Sequence, residues 1–226
     1  MQTLLPTINI RINEKIYIKN PETSTLGKKI IQESILLIDQ IGFDNFTFKK
    51  LGDKIGSNES SLYRYFENKH KLLLYLSDWY WSWVEYRLVF ATTNVVDPMQ
   101  QLQKAIDIIT EKITDDADTV YVNEAVLNKI IVLEFTKTLL TKEVDAENQE
   151  GFFMVYKRIV NRFVNLIQNV NSNYLFSRSL ASSIVEGALH QHFLREHLKT
   201  ITNTEYSTPR EFYTDLVSRI LLNPKK

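Results

Sequence analysis

The sequence predicts an all-α protein, and three observations carry that expectation. Apolar residues recur at intervals of three and four, as in Leu102, Ala105, Ile106, Ile109 and Ile113, in Phe152, Tyr156, Ile159, Phe163 and Ile167, and in Leu180, Ile184, Leu189 and Phe193. That period is helical. Only six glycines and five prolines punctuate the 226 residues. Two of the prolines follow capping side chains, in Asp97-Pro98 and Thr208-Pro209, which is how helices start. Glu211 completes a capping box behind Thr208.

Taken in order, periodicity and caps give helices near 25–41, 48–55, 59–66, 69–92, 98–115, 119–141, 148–170, 175–199 and 209–222. One stretch departs from the pattern. Ile8, Ile10 and Ile12, then Ile16 and Ile18, alternate on either side of Asn13-Glu14 as two short strands joined by a turn would, so a β-hairpin is expected there. The expected organisation is an N-terminal extension over 1–24, a three-helix domain over 25–72 and a helical-bundle domain over 73–226.

Composition narrows the chemistry. With no cysteine, thiolate metal sites, thiol nucleophiles and disulfides are excluded, which fits a reducing, cytoplasmic setting. No stretch reaches the roughly 18 apolar residues that a membrane span needs. Lys plus Arg equals Asp plus Glu at 27 each, so any case for nucleic-acid binding rests on local charge.

Residues 25–72 supply that local case. The first helix offers Ile30, Ile31, Ile35, Leu37 and Ile38 to a core, and Gly42 is a suitable stop. Thr47 caps the second helix, Gly56 ends it, and Asn58 caps a third within a few residues. Two short helices joined by a tight glycine-containing turn form a helix-turn-helix, whose second member enters the major groove. From Thr47 to Lys71, six cations (Lys49, Lys50, Lys54, Arg64, Lys69, Lys71) stand against Asp53, Glu59 and Glu67, a net charge of +3. Several of these cations sit at helix N-termini, where backbone amides already favour phosphate.

Gly42-Phe43, Thr47, Leu51, Gly56 and the run Leu62-Tyr63-Arg64-Tyr65-Phe66-Glu67-Asn68-Lys69-His70-Lys71-Leu72 together resemble the signature of the TetR (tetracycline-repressor) family of transcriptional regulators. The resemblance implies a ligand-responsive repressor that binds a near-palindromic double-stranded operator as a homodimer. It also implies phosphate contacts from Thr47, Tyr63 and Lys69, with Lys49 beside them, and base contacts from Asn58, Glu59, Ser60 and Arg64. Glu59 departs from the family's usual basic or neutral residue, and a carboxylate near phosphates is unfavourable unless it accepts from a cytosine amino group.

By the same resemblance the fourth helix leads into an effector cavity. Its stripe Tyr75, Trp79, Trp83, Tyr86 and Phe90 then supplies Trp79, Trp83 and Tyr86 to a small apolar or aromatic effector, together with Tyr121, Phe135, Tyr156 and His190. Each of these serves equally well as core. The last two helices are expected to pair with their copies in the dimer through Ala181, Ile184, Gly187, Ala188, Phe212 and Leu216.

No catalytic residue, cofactor or metal is assigned. A phosphate loop, a Gly-x-Ser-x-Gly elbow and a glycine-rich dinucleotide turn are all missing, and the spacing of His190, His192 and His197 matches no zinc motif. The competing readings are an interaction protein whose head no longer binds DNA, and an enzyme with its chemistry in the helical body.

Overall fold

The structure is a computed structural model of the chain and describes residues 10–113, 121–203 and 207–222. Eleven helices are found among the described residues: α1 (Thr25–Ile41), α2 (Phe48–Ile55), α3 (Glu59–Leu62), α4 (Lys69–Thr92), α5 (Pro98–Ile109), α6 (Glu124–Glu134), α7 (Thr136–Leu139), α8 (Val144–Gln149), α9 (Met154–Val170), α10 (Ser177–His197) and α11 (Pro209–Leu222). No strand is present among the described residues. No described helix is long and apolar enough to cross a membrane.

The caps act as the sequence requires. Ser24, Thr47, Asn58, Asp97 and Asn123 each accept from a backbone amide in the first turn of the following helix, a contribution of about 1 kcal/mol apiece. Two long stretches expected as single helices are divided. The stretch over 119–141, of which 119–120 lie outside the described residues, splits into α6, opened by Asn123, and α7 at Phe135, and a second break separates α8 from α9 at Gly151, whose φ of 82° few residues other than glycine adopt. Helix α5 ends at Ile109, and the Thr110 amide and hydroxyl both donate back to the Ile106 carbonyl, at 3.0 and 2.6 Å.

The chain divides into two compact units, residues 1–82 with 113–154 and residues 83–112 with 155–226. In the first, α1 packs on α2 and α6. Its centre is apolar and aromatic: Ile30, Phe46, Leu51, Leu62, Phe66, Leu72 and Trp81 are all within 1 % of full burial.

The N-terminal arm lies on this unit, and the hairpin expected over 8–18 does not form among its described residues. Ile8 lies outside them. Instead Asn13 accepts from the Lys15 amide at 3.0 Å and caps a 3₁₀ turn, Glu14–Ile16. Ile12 and Ile16 are both buried, so four-residue spacing along a turn replaces alternation along a strand. The arm is tied down at both ends. Asn13 donates to the Glu150 carbonyl at 2.9 Å, the Ile18 amide donates to the Tyr65 carbonyl at 2.8 Å, and Ser24 and Tyr65 share a hydroxyl bond of 2.8 Å. A second 3₁₀ turn, Pro21–Thr23, seats against α1 where a side chain on Gly27 would come within 2.2 Å of the Pro21 carbonyl.

In the second unit, α10 and α11 pack on each other and on α5. The buried carboxylate of Glu85 receives Arg158 at 2.7 Å and Arg162 at 2.9 Å from α9. Burial acts to raise its pKa, but the two guanidinium groups outweigh it and hold the carboxyl below its ordinary value. His192 and His190 are each committed to a backbone carbonyl, of Thr110 at 2.8 Å and of Glu186 at 3.0 Å.

Gly27→Ala should push the arm's second turn off α1, because the atoms it would meet are backbone and cannot swing away. The expected cost is about 1–3 kcal/mol, measured as a lower urea midpoint. An unchanged midpoint would mean that the arm does not seat on α1.

Candidate nucleic-acid interface

The helix-turn-helix is built from α2, its turn and α3. Thr47 starts α2 by accepting from the Lys50 amide at 3.2 Å, and Phe48, Leu51 and Ile55 turn inward along its buried face. Gly56 ends the helix in the left-handed conformation, with φ 69° and ψ 36°. The Ser57 amide then donates back to the Gly52 carbonyl at 2.9 Å and folds the chain tightly against α2. Asn58 accepts from the Ser61 amide at 2.9 Å and from the Ser60 hydroxyl at 2.9 Å, which opens α3.

Helix α3 is one turn long, Glu59–Leu62, where the period suggested 59–66. The chain tightens after Leu62, as the Tyr65 amide donates to the Leu62 carbonyl at 2.9 Å, and this turns Tyr65 and Phe66 into the core. Core burial therefore overrides helical continuation.

The side chains expected to meet DNA fall into two groups. Thr47, Lys49, Asn58, Ser60, Tyr63 and Arg64 are exposed. The Tyr63 ring lies 5.0 Å from that of Phe48, which brings the end of α3 beside the start of α2, and hence beside Thr47 and Lys49. Glu59 and Lys69 are half-buried and engaged. Glu59 accepts from the Tyr63 hydroxyl at 3.3 Å. Desolvation and then the Glu59 charge raise the Tyr63 pKa, so its hydroxyl stays a donor.

Lys69 differs most from expectation. Its ammonium donates to the carbonyls of Phe43 at 3.0 Å, Asp44 at 3.1 Å and Phe46 at 3.2 Å, and stands 4.8 Å from the centre of the Phe43 ring. An ammonium has three protons to give, and all three are spent on the loop between α1 and α2. Lys137 braces the same loop, binding Asp44 at 2.7 Å and Glu134 at 2.8 Å.

The sequence reading missed Gly52. A side chain there would stand 2.7 Å from the Ser57 carbonyl, so only glycine lets the turn close on α2. The available signal was a glycine inside an otherwise helical pattern, which usually marks a close approach.

The residues proposed for an effector are spread over both units. In the first, Trp79 and Phe135 are buried, Phe135 standing edge-on to Trp81 at 5.3 Å, while the Tyr121 hydroxyl binds the Glu22 carboxylate. In the second, Trp83 is buried, Tyr86 is exposed and stacks on Phe90 at 6.5 Å, and the Tyr156 hydroxyl binds Glu186, whose carbonyl meets His190.

The residues expected at the dimer contact separate as well. Ala181, Ile184 and Ala188 are buried within their own chain, at 0, 0 and 2 % exposure, and so present nothing to a second copy. Gly187 faces Tyr213 of the same chain, whose hydroxyl oxygen lies 2.1 Å from where a Cβ would be. Its small size therefore serves α10–α11 packing. Burial there pushes the Tyr213 pKa up to about 12. Phe212 is exposed and Leu216 half-buried on α11.

A one-turn recognition helix held by a glycine-dependent turn, with a basic exposed rim, is a helix-turn-helix DNA-binding head followed by a helical body. Residues 30–76, which span the head, match the family of bacterial regulatory proteins, tetR family. Among solved structures, a bacterial regulatory protein in the tetR family from Rhodococcus RHA1 is similar with a TM-score of 0.61 at 13% identity, over 88% of this chain and 97% of that one. AibR, in complex with isovaleryl coenzyme A and operator DNA, is similar with a TM-score of 0.57 at 15% identity, over 88% of this chain and 100% of that one. The superantigen PfiT is similar with a TM-score of 0.61 at 16% identity, over 92% and 100%. At such identities the likeness is one of fold. No curated protein matches the chain.

Lys69→Ala should lower the melting temperature and weaken binding to every DNA sequence while leaving the salt dependence of binding unchanged, since its charge is turned to the loop. A phosphate contact would instead reduce the slope by about one counterion. Titrations at several salt concentrations distinguish the two, and a reduced slope would return Lys69 to the phosphate backbone.

Proposed function

We propose that the chain is a ligand-responsive, DNA-binding transcriptional regulator of the TetR type, with a DNA-reading head over 25–72 and an effector-binding and dimerising body over 73–226. The observation that carries this reading is the head itself. The family match over residues 30–76 coincides with a helix-turn-helix whose Thr47, Lys49, Asn58, Ser60, Tyr63 and Arg64 are exposed together.

The working unit is a two-fold dimer, because a single-turn recognition helix reads only a few base pairs and symmetry duplicates it on a near-palindromic operator. Exposed Phe212 and half-buried Leu216 support α11 as part of that contact. Glu59 takes the role of holding Tyr63 through its hydroxyl, which accounts for a carboxylate on a DNA-facing helix. Arg64, exposed just beyond α3, is the base-reading side chain.

A second reading is an interaction protein built on the same fold, favoured by Glu59 and by the fold likeness to the superantigen PfiT. One experiment separates the two. Selection from a random DNA pool by the purified chain should return a near-palindrome, bound with an affinity that falls steeply with salt. Arg64→Ala should cost about 1–3 kcal/mol and relax the preference at one position per half-site. Failure to enrich any sequence, together with the absence of a salt-sensitive complex, would favour the interaction protein.

A further inference from the structure

We propose that Tyr75 and Tyr121 form a carboxylate-recognition nest that the arm's own Glu22 now fills, and that the chain's effector is a small organic carboxylate that takes Glu22's place. This rests on the reading of the chain as an effector-responsive regulator and names the chemistry of that effector.

The Tyr75 hydroxyl donates to Glu22 Oε1 at 3.1 Å, and the Tyr121 hydroxyl donates to the same carboxylate. The two phenols come from distant parts of the sequence, one from α4 and one from the residues just before α6, and they converge on one anion. Burial and the neighbouring carboxylate raise both phenol pKa values, so the two hydroxyls remain proton donors throughout the neutral range.

The Tyr75 phenol is buried and the Tyr121 phenol half-buried, and both donate, which suits a carboxylate, a group with acceptors and no proton to give. Glu22 reaches the nest from a three-residue turn on the surface and not from the core. Beside Glu22 lies an open cleft of about 580 Å³ whose lining includes Thr25, Lys28, Lys29, Gln32 and Glu33, large enough for a small organic acid. Lys28 lines this cleft, and its ammonium stands 5.6 Å from the centre of the Tyr121 ring, so the cleft carries positive charge beside the nest.

Displacing Glu22 frees the turn that leads into α1 and, with it, the arm that grips Tyr65. The arm's Ile18 amide binds the Tyr65 carbonyl, and Ser24 binds the Tyr65 hydroxyl, three residues beyond α3. Entry of a carboxylate would thus be felt where the recognition helix ends.

The test is chemical rescue of the full chain, with sodium benzoate and sodium acetate as probes and sodium chloride at equal ionic strength as the control. Glu22→Ala should melt several degrees below the parent, and benzoate or acetate should restore much of that loss while chloride does not. Carboxylate binding followed by tryptophan fluorescence should be roughly tenfold or more tighter in Glu22→Ala than in the parent, because a tethered competitor has been removed. Adding Tyr121→Phe should abolish the rescue. If Glu22→Ala does not fold, Glu22→Gln replaces it, and its weaker neutral plug should still give tighter benzoate binding than the parent. A variant that responds to carboxylate no more than to chloride, or that responds equally with Tyr121→Phe, would overturn the proposal. Neither result involves DNA, so failure of the nest and failure of the regulator reading are read in separate experiments.

Discussion

The presentation of the recognition helix depends on one close approach. At Gly52 the backbone of α2 meets the carbonyl of Ser57 so closely that a methyl group would lie 2.7 Å from it. That contact sets the angle at which the chain leaves α2, places Asn58 to cap α3, and directs Leu62 and Phe66 into the core. The exposed rim of Thr47, Lys49, Ser60 and Arg64 has its geometry because the buried side of the same motif permits no other packing.

The head is held by polar contacts as well as apolar ones. Lys69 gathers three carbonyls of the α1–α2 loop, and Lys137 and Glu134 brace that loop from α6 and α7. His70, next to Lys69, reaches the buried Glu147 at 2.9 Å. The arm adds a further set through Glu22, Tyr65 and Tyr121. These contacts tie the segment 121–154 to the loop before α2, to His70 and to the arm through side chains remote from them in sequence.

In the second unit, small residues on α10 are used differently from the way a sequence pattern suggests. Ala181, Ala188 and Gly187 permit close packing, but the partner is the chain's own core and Tyr213 of α11. A small-residue stripe specifies that something approaches closely without specifying which chain provides it. The exposed large apolar side chains on α11 are Phe212, expected at the dimer contact, and Leu222.

Much of the local structure was legible in the sequence because its causes are local. The bounds of α1 and α2 and the start of α11 follow from Ser24, Gly42, Thr47, Gly56 and Thr208-Pro209, since caps and stops act within a few residues. The run from Leu62 to Leu72 carried the family resemblance for the same reason: a short motif contains most of its own contacts. What tertiary structure decided was the assignment of partners. Alternating isoleucines in the arm became a capped turn once α1 and Tyr65 offered it a surface. Lys69 turned from phosphate to three carbonyls because the loop before α2 folds beside it, and Glu22 and Tyr121 met across 99 positions of sequence. Periodicity and capping are properties of neighbours along the chain, whereas the hydrogen-bond partner of a buried polar group is fixed only when distant segments close around it and exclude water.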